Sequence, residues 1–483
     1  MKTYDLIVIG GGPAGVSGAR LAAMHNKTVA LINPEKELGG AGVNTGTLPS
    51  KTLRETALAL SGAQARNLFG VDIALRREAT VADFLRHGQN VKAGFNTMLA
   101  QWTESLKIDL FPGTAVFDDR HTLRVTNPAN GALALRGEKI LIATGSSPFR
   151  PPLFPFDQPH IYDSDTILSL DRLPRSLAVV GAGVIGSEYA CIFAALGVEV
   201  HLIDGRDTLL PFLDAEVSSA LAAAMKRNGI LRHQNERVEK CVVTGPERIA
   251  LKLASGGELT VEAVLVAAGR TSNTAQLNLP IAGVVVGERG LVRVDEHYRT
   301  SAQNIYAAGD VIGFPALAST SIEQAHRAVC HAFDFGAHAG LPKLLPTGIY
   351  TIPEAGMVGE TEESLKQQGV DYLVGRGPYA SSVRGRIIGD TGGFVKLLFR
   401  RSDLKLLGVH VLGEHATELV HIGLMAMLAG ATARIFDDAC FNMPTLCELF
   451  KFAAREVLVQ QATTKSQGSP DGQSQLAQAT TAK

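Results

Sequence analysis

The sequence predicts an α/β protein in which two similar β-α-β units precede a C-terminal region of mixed strands and helices. An apolar strand runs directly into a glycine-rich turn and a helix within residues 6–25, and the same pattern returns within residues 176–196. From residue 345 onwards, strand-like segments are followed by helical ones. Strands that alternate with helices indicate parallel sheets, and the later change of pattern indicates a separate C-terminal domain.

The first unit carries the glycine spacing that a dinucleotide needs. Gly10, Gly12 and Gly15 follow the strand at residues 6–9, and a second strand is predicted at residues 28–32. In a Rossmann fold the first glycine allows a tight turn, the second lets a pyrophosphate approach the backbone, and the third lets helix and strand pack closely. The helix N-terminus adds free N–H groups. The segment therefore predicts nucleotide binding, the alternative being a purely structural glycine turn.

The second unit repeats this spacing, and each unit has a polar residue directly after its second strand. The repeated glycines are Gly181, Gly183 and Gly186. Asp204 follows the second strand of the later unit, where an acid accepts hydrogen bonds from a ribose diol and so favours NAD(H). Arg206 could meet the 2′-phosphate of NADP(H) or be a solvated arginine. Asn33 occupies the matching place in the first unit and is expected to make a weaker ribose contact than an acidic residue would. Because the unit occurs twice, two dinucleotides are expected.

Composition and charge exclude several other classes of protein. The chain has 46 Lys and Arg against 47 Asp and Glu, without a basic block, so neither nucleic acid nor an anionic membrane is a predicted partner. No membrane-spanning run and no signal-peptide pattern are found, which predicts a cytoplasmic protein without membrane insertion. The five cysteines lack paired spacing and the histidines form no ligand cluster, so no disulfide framework and no metal site are predicted.

Further motifs give the chain a resemblance to a known family. PSK ends a glycine-rich loop at residues 49–51, ATG ends a strand at 143–145, YAAGD lies at 306–310, TGIYTIPE at 347–354 and FNMPT at 441–445. Together with the two dinucleotide units, these motifs resemble the pyridine nucleotide–disulfide oxidoreductases over about residues 4–458. Within that family the sequence is most similar to the soluble, Si-specific NAD(P)+ transhydrogenases.

The resemblance implies a fold class, a set of cofactors and a domain order. It implies two Rossmann-like dinucleotide-binding domains and a C-terminal α+β dimerisation domain, with FAD, NAD(H) and NADP(H) bound and a homodimer or higher homo-oligomer formed. The expected division is a first FAD-binding part at 1–150, an NAD(P)-binding domain at 151–270, a second FAD-binding part at 271–343, the dimerisation domain at 344–460 and a disordered tail at 461–483.

The resemblance also gives roles to particular side chains. Lys51 is implied to lie beside the flavin N5 edge, paired with Glu188, where its charge would favour the anionic reduced flavin. Asp310 is implied to bind the ribityl chain or the pyrophosphate region of FAD. The other implied cofactor-binding positions are Gly40, Ala115, Thr144, Gly145, Gly269 and Ala318. Lys51 and Glu188 have a simpler interpretation as helix-surface charges, and Asp310 as a turn residue.

The sequence departs from the family's disulfide reductases at three functional positions. It has Gly42 and Thr47 where they have the two redox cysteines, and Met443 before Pro-Thr where they have a catalytic histidine. Glycine and threonine cannot form a redox disulfide, and a thioether cannot accept or donate a proton. Cys447 has no partner cysteine and is interpreted as a core residue.

These observations predict an FAD enzyme that takes a hydride from NADPH or NADH and passes it to NAD(P)+ without a thiol relay. The nearest alternative is an NAD(P)H:quinone oxidoreductase, or one with another electron acceptor, in which the missing side chain at Gly42 leaves room for the acceptor. An alternative of another class is a non-catalytic, redox-sensing flavoprotein. Retention of Lys51 and Glu188 favours an enzyme over a sensor.

Overall fold

The computed structural model describes residues 1–61, 80–127, 129, 131–336 and 340–467. A mainly parallel first sheet with an antiparallel edge, a parallel second sheet, covering helices and an antiparallel C-terminal sheet confirm the predicted α/β architecture. The elements of the first region are β1 (Lys2–Ile9), α1 (Pro13–Met24), β2 (Val29–Asn33), α2 (Gly40–Asn44), α3 (Thr47–Ser61), α4 (Val81–Ser105), β3 (Asp109–Pro112), β4 (Thr114–Phe117), β5 (Thr122–Asn127), β6 (Gly131–Ile142) and β7 (Ser146–Pro148).

The first sheet has the strand order β3-β2-β1-β6-β5-β4. β1 pairs in parallel with β2 and β6, and Leu6, Ile7 and Val8 are buried on both faces of the sheet. Parallel strands need a crossover, which α1 supplies. α1 begins at Pro13, whose missing N–H costs nothing at the first helical position. This geometry brings the first glycine turn to the carboxyl end of the sheet.

The second region repeats this arrangement in a separate sheet with the order β11-β10-β9-β15-β8. Its elements are β8 (Ile161–Asp163), β9 (Ser176–Val180), α5 (Val184–Ala195), β10 (Glu199–Asp204), α6 (Ala215–Arg227), β11 (Leu231–Gln234), β12 (Val238–Gly245), β13 (Arg248–Leu253), β14 (Glu258–Val261), β15 (Ala263–Val266) and β16 (Arg270–Ser272). Strands β12 to β14 form an antiparallel sheet, and β16 pairs with β7. Residues 186–193 of α5 are all buried, because α5 packs on its sheet and against α3.

The chain then returns to the first sheet before it forms the C-terminal sheet. β17 (Ile305–Ala307) pairs with β6, and α7 (Ala318–Phe333) packs on α1. The remaining elements are β18 (Thr347–Ile349), β19 (Ala355–Gly359), α8 (Glu362–Gln367), β20 (Tyr372–Pro378), α9 (Val383–Ile387), β21 (Phe394–Arg400), β22 (Leu406–Leu412), α10 (Ala416–Leu428), α11 (Ala433–Asp438) and α12 (Glu448–Gln467). The C-terminal sheet has the order β18-β19-β22-β21-β20.

Helix α12 corrects part of the predicted disordered tail. Residues 461–467 continue the helix, and where this stretch begins the side-chain amides of Gln460 and Gln461 donate to the carbonyls of Val374 (2.9 Å) on β20 and Arg401 (3.2 Å) after β21. Residues 468–483 lie outside the described part of the chain. Throughout the described residues, every helix is either too short or too polar to cross a membrane.

A buried ionic cluster joins the C-terminal sheet to the second region. Lys396 on β21 is 1% exposed, and its ammonium lies 2.7 Å from Asp214 Oδ1 and 2.9 Å from Glu216 Oε2, with Glu362 as a third partner. Burial alone would lower the pKa of Lys396, but the hydrogen bonds to the carboxylates raise it. The three carboxylates lie close enough together to hold a metal ion, and in this structure the ammonium lies among them.

Candidate functional site

A cavity of about 1350 Å3 lies between the two glycine turns and the C-terminal region. Its wall includes the first glycine turn, the start of α3, the N-terminus of α5 and part of α10. The predicted positions that line it are Gly10, Gly12, Asn33, Gly40, Lys51, Ala115, Thr144, Gly145, Gly183, Glu188, Gly269, Asp310 and Ala318. The other predicted positions, which are not among the lining residues, are Gly15, Gly181, Gly186, Asp204 and Arg206.

The two glycine turns have matching geometry. Gly10 and Gly181 have φ angles of +108° and +104°, a region that side chains other than glycine rarely adopt. A Cβ on Gly15 would lie 1.8 Å from Gly10 O, and one on Gly186 would lie 1.9 Å from Gly181 O. These positions therefore have to be glycine so that helix and turn can pack closely. The N-termini of α1 and α5 meet the cavity wall, where their N–H groups favour an anionic ligand.

Asn33 and Asp204 occupy equivalent places but are used differently. The Gly11 N–H donates to Asn33 Oδ1 (3.0 Å), and the Ala182 N–H donates to Asp204 Oδ2 (2.6 Å), each across 22 residues. The Asn33 side-chain amide also donates to the carbonyls of Glu35 (2.8 Å) and Glu37 (3.0 Å). Asn33 therefore holds the loop after β2 and keeps one oxygen lone pair for a ribose hydroxyl. Its amide hydrogens, in contrast, are committed to the protein itself.

Asp204 and Arg206 form an ion pair at the end of β10. The Arg206 guanidinium donates to both oxygens of Asp204, each at 2.8 Å, and the Arg206 N–H adds a third bond at 2.9 Å. Burial alone would raise the pKa of Asp204, but the hydrogen bonds from Arg206 and Ala182 outweigh it and lower the pKa. Asp204 is thus ionised at neutral pH, and Arg206 neutralises it.

Lys51 and Glu188 come together at the junction of the first two regions. Lys51 Nζ on α3 lies 2.7 Å from Glu188 Oε2 on α5, although the residues are 137 positions apart in the chain. The Glu188 side chain is 5% exposed and that of Lys51 is 26% exposed. The ion pair implied by the family resemblance is therefore present, with the lysine partly accessible from the cavity.

A group of polar atoms near Asp310 lines the same cavity as the first glycine turn. Ser146 Oγ donates to Asp310 Oδ2 (2.7 Å), and Arg270 donates to both Ser146 Oγ (2.7 Å) and Ser146 O (2.6 Å). Thr144 Oγ1 is buried without a hydrogen-bond partner among the described residues. A buried hydroxyl is normally hydrogen-bonded, so Thr144 fits a site whose ligand supplies the partner.

The positions of the family's cysteines carry no sulfur. Gly42 on α2 and Thr47 at the start of α3 line the cavity, and the five cysteines of the chain are all free thiols. A Cβ on Gly42 would lie 2.7 Å from Pro13 Cγ. The expectation that Gly42 leaves room for an acceptor is therefore not supported, because the Pro13 ring fills that space. Cys447 packs partly buried against the C-terminal core, as predicted, and Met443 is exposed.

The segment 350–354 of the C-terminal region reaches this site, which the sequence-based prediction did not include. The Tyr350 N–H donates to Glu188 Oε1 (2.9 Å), and Arg54 on α3 pairs with the buried Glu354 (3.2 Å). The motif TGIYTIPE spans this segment and contributed to the family resemblance. Because the contacts cross from one region to another, no local pattern indicates them.

Two matching glycine turns, with Gly10, Gly12 and Gly183 in the wall of one cavity, are the arrangement typical of dinucleotide-binding proteins. The chain belongs to the pyridine nucleotide-disulphide oxidoreductase family, because the sequence profile of that family matches residues 4–332. The dimerisation domain of the same family matches residues 345–454. The family predicted from the motifs is thereby confirmed.

Relatives with similar sequences carry a more specific name. The chain is 43% identical over 459 residues to the soluble pyridine nucleotide transhydrogenase of Mycobacterium bovis, covering 95% of this chain and 98% of that protein. It is 41% identical over 462 residues to the enzyme of that name from Chromohalobacter salexigens, covering 95% and 99%. Among solved structures, the HOCl-induced flavoprotein disulfide reductase RclA of Escherichia coli gives a TM-score of 0.85 at 29% identity, covering 94% of this chain and 99% of that one.

Proposed function

We propose that this chain is an FAD-dependent oxidoreductase that moves a hydride between NADPH or NADH and NAD(P)+ through the flavin, without a redox disulfide. One observation carries the proposal: a single cavity adjoins both dinucleotide units, while Gly42 and Thr47 stand where the family's thiols would be. The naming of relatives at 41% and 43% identity as soluble pyridine nucleotide transhydrogenases supports it.

FAD would be held by the first unit and the elements around it. The N-terminus of α1 would face the pyrophosphate, and Asn33 would offer its free lone pair to the adenosine ribose. Thr144 has a buried hydroxyl that needs a partner, and Asp310 lies where it would meet the ribityl chain or the pyrophosphate region. The further contacts would come from Gly40, Ala115, Gly145, Gly269 and Ala318, which line the same cavity.

The nicotinamide nucleotides would use the second unit in turn. With NAD(H), Asp204 would accept hydrogen bonds from the ribose diol, whereas with NADP(H) the Arg206 guanidinium would meet the 2′-phosphate. Because the two side chains neutralise each other, neither nucleotide meets an isolated charge of the wrong sign. One site would thus accept both substrates, as a ping-pong exchange requires.

When bound, the flavin supplies a carrier that accepts a hydride and returns it. Lys51, fixed by Glu188, would hold a positive charge at the edge of the flavin and stabilise negative charge there. Thr47 has no accessible oxidised form, so the electrons cannot leave through the protein as they do in a dithiol enzyme. They would leave with a second nicotinamide nucleotide, and the reaction NADPH + NAD+ → NADP+ + NADH balances without a net proton.

The assembly and location are part of the same proposal. We retain the division at 1–150, 151–270, 271–343 and 344–460, and a homodimer is supported by the match to the dimerisation domain. The free thiols of all five cysteines fit a reducing, cytoplasmic location. Light scattering of the purified protein tests the assembly, and a monomer at micromolar concentration would contradict it.

Steady-state kinetics test the activity. The protein, NADPH and thio-NAD+ are mixed without added thiol, and reduced thio-NAD+ is followed over a matrix of both concentrations. We expect interchange with parallel double-reciprocal lines, and no activity with lipoamide or glutathione disulfide. Fast turnover with a soluble quinone and negligible interchange would instead support the acceptor alternative. Failure to turn over with any acceptor would support a sensor.

A further inference from the structure

One residue of the C-terminal region, Tyr350, contacts both members of the Lys51–Glu188 pair. The Tyr350 N–H donates to Glu188 Oε1 at 2.9 Å, while Lys51 bonds the other oxygen, Oε2, at 2.7 Å. Lys51 Nζ also lies 4.9 Å from the centroid of the Tyr350 ring. The ion pair therefore has a backbone donor on the carboxylate side and an aromatic face on the ammonium side.

The ring contact is strong enough to matter for a flexible side chain. A lysine loses rotamer entropy when it is fixed, and attraction between its cation and an aromatic face offsets that loss. Among the residues that the structure describes, Ser50 Oγ at 3.3 Å is a further polar contact of the ammonium besides Glu188. Burial raises the pKa of Tyr350, so its ring stays a neutral phenol at physiological pH. The ring therefore presents a π face and no competing charge.

Tyr350 is itself held in place relative to α3. The next carbonyl, Thr351 O, accepts from Arg54 Nε at 3.1 Å, and Arg54 also pairs with Glu354 at 3.2 Å. The second oxygen of Glu354 accepts from the Thr417 N–H (3.2 Å) and hydroxyl (2.8 Å) at the start of α10. Arg54 lies one helical turn after Lys51, so the segment 350–354 is fixed to the same helix that carries the lysine.

We propose that Tyr350 is a positioning residue that holds the Lys51 ammonium at the cavity edge where the charge of the reduced flavin is stabilised. This inference rests on the proposed flavin site. It adds that a residue of the C-terminal region completes the charge arrangement formed by Lys51 and Glu188. In this role Tyr350 contacts neither the flavin nor the nicotinamide atom that exchanges the hydride, and it acts only through Lys51.

Two substitutions separate the aromatic face from the rest of the residue. Y350L removes the ring and keeps the backbone donor to Glu188, whereas the control Y350F keeps both and removes only the hydroxyl. The first readout is the equilibrium constant for hydride transfer from NADPH to the bound flavin, measured by anaerobic titration. We expect Y350L to lower it about 2- to 30-fold, the range of one cation–π contact, and Y350F to change it less than about twofold.

The second readout follows Lys51 directly and does not need bound flavin. Labelling of Lys51 by an amine-reactive reagent, measured by peptide mass spectrometry, should be faster in apo-Y350L than in the wild-type apoprotein, and unchanged in Y350F. If Y350L fails to retain FAD, this measurement alone decides the matter. If Y350L kept the wild-type labelling rate and equilibrium constant, or if Y350L and Y350F changed equally, the proposed role of the ring would be wrong. Neither readout involves a second nucleotide, so reoxidation by thio-NAD+ still tests the proposed function separately.

Discussion

Lys51 is the side chain whose charge the proposed chemistry needs most directly. K51M keeps an unbranched side chain of similar length and removes the ammonium next to Glu188. We expect stopped-flow reduction of the bound flavin by NADPH to slow about 100-fold, the typical cost of removing one electrostatic stabiliser of a transition state. K240M is the control, because Lys240 is exposed on β12. Equal reduction rates in K51M and K240M would contradict a role for Lys51.

The Asp204–Arg206 pair is expected to set how the two nicotinamide nucleotides share one site. R206L removes the partner of a 2′-phosphate, so the KM for NADPH should rise about 10- to 100-fold, as for a lost charge-assisted hydrogen bond. The KM for NADH should change much less. D204N should instead raise the KM for NADH more than the KM for NADPH, because Asp204 is proposed to accept hydrogen bonds from the ribose diol of NAD(H). Equal changes in the KM for NADPH and the KM for NADH in R206L would show that Arg206 is only a solvated partner of Asp204.

At the scale of elements, the buried Lys396 cluster joins β21 to α6 and α8. K396M leaves Asp214, Glu216 and Glu362 without their shared cation, and a broken buried ion pair costs about 3–5 kcal/mol of unfolding free energy. Lys366 provides a matched control, because it also pairs with Glu362 (3.8 Å) but is 62% exposed. K366M should change the stability by less than about 0.5 kcal/mol. Chemical denaturation at pH 7 measures both values, and similar losses in K396M and K366M would contradict the account of the cluster.

The same cluster gives a pH dependence whose sign follows from its carboxyl groups. Burial opposes ionisation of Asp214 and Glu362, but Lys396 and other neighbouring groups, among them Tyr372 for Glu362, together outweigh it and lower both pKa values. The pKa of Glu216 is also lowered, first by the hydrogen bond from Arg376 and then by Lys396. A lowered pKa stabilises the fold fully above the ordinary carboxyl pKa, about 4, and this stabilisation is lost as pH falls through the lowered values. The stability difference between wild type and K396M should therefore narrow below about pH 4.

The elements most visible in the sequence are those set by local patterns. The glycine turns, the buried strands and the polar residue after each second strand follow from spacing alone, since they lie within one β-α-β unit. Helix α3 begins at Thr47, where the chain turns from the glycine loop into the helix. Tyr350 and Glu188 lie 162 residues apart, so only the folded chain reveals their contact.

Asn33 shows a further limit of reasoning from the sequence alone. Its side-chain type predicted a weaker ribose contact, but the orientation of the carbonyls of Glu35 and Glu37 decides which of its atoms remain available. Carbonyl orientation depends on loop conformation rather than on residue type. The family, in contrast, was predictable, because several separate motifs in one order are far more specific than any one of them.

At the scale of the whole molecule, one cavity joins residues from three regions of the chain. The first region supplies Lys51, the second region supplies Glu188, and the C-terminal region supplies Tyr350. The two dinucleotide units thus meet at a site whose described lining residues include the cation Lys51 and no cysteine. That combination supports electron exchange between two nicotinamide nucleotides rather than delivery of electrons to a disulfide.

An anaerobic single-turnover measurement tests this claim most directly. The purified holoenzyme is reduced with one equivalent of NADPH, the visible absorbance of the flavin is followed, and either thio-NAD+ or a soluble quinone is then added. Hydride exchange through the flavin predicts rapid reoxidation by thio-NAD+, with reduced thio-NAD+ formed in step with the return of flavin absorbance. Reoxidation by the quinone alone would contradict it and make the acceptor a molecule other than a nicotinamide nucleotide.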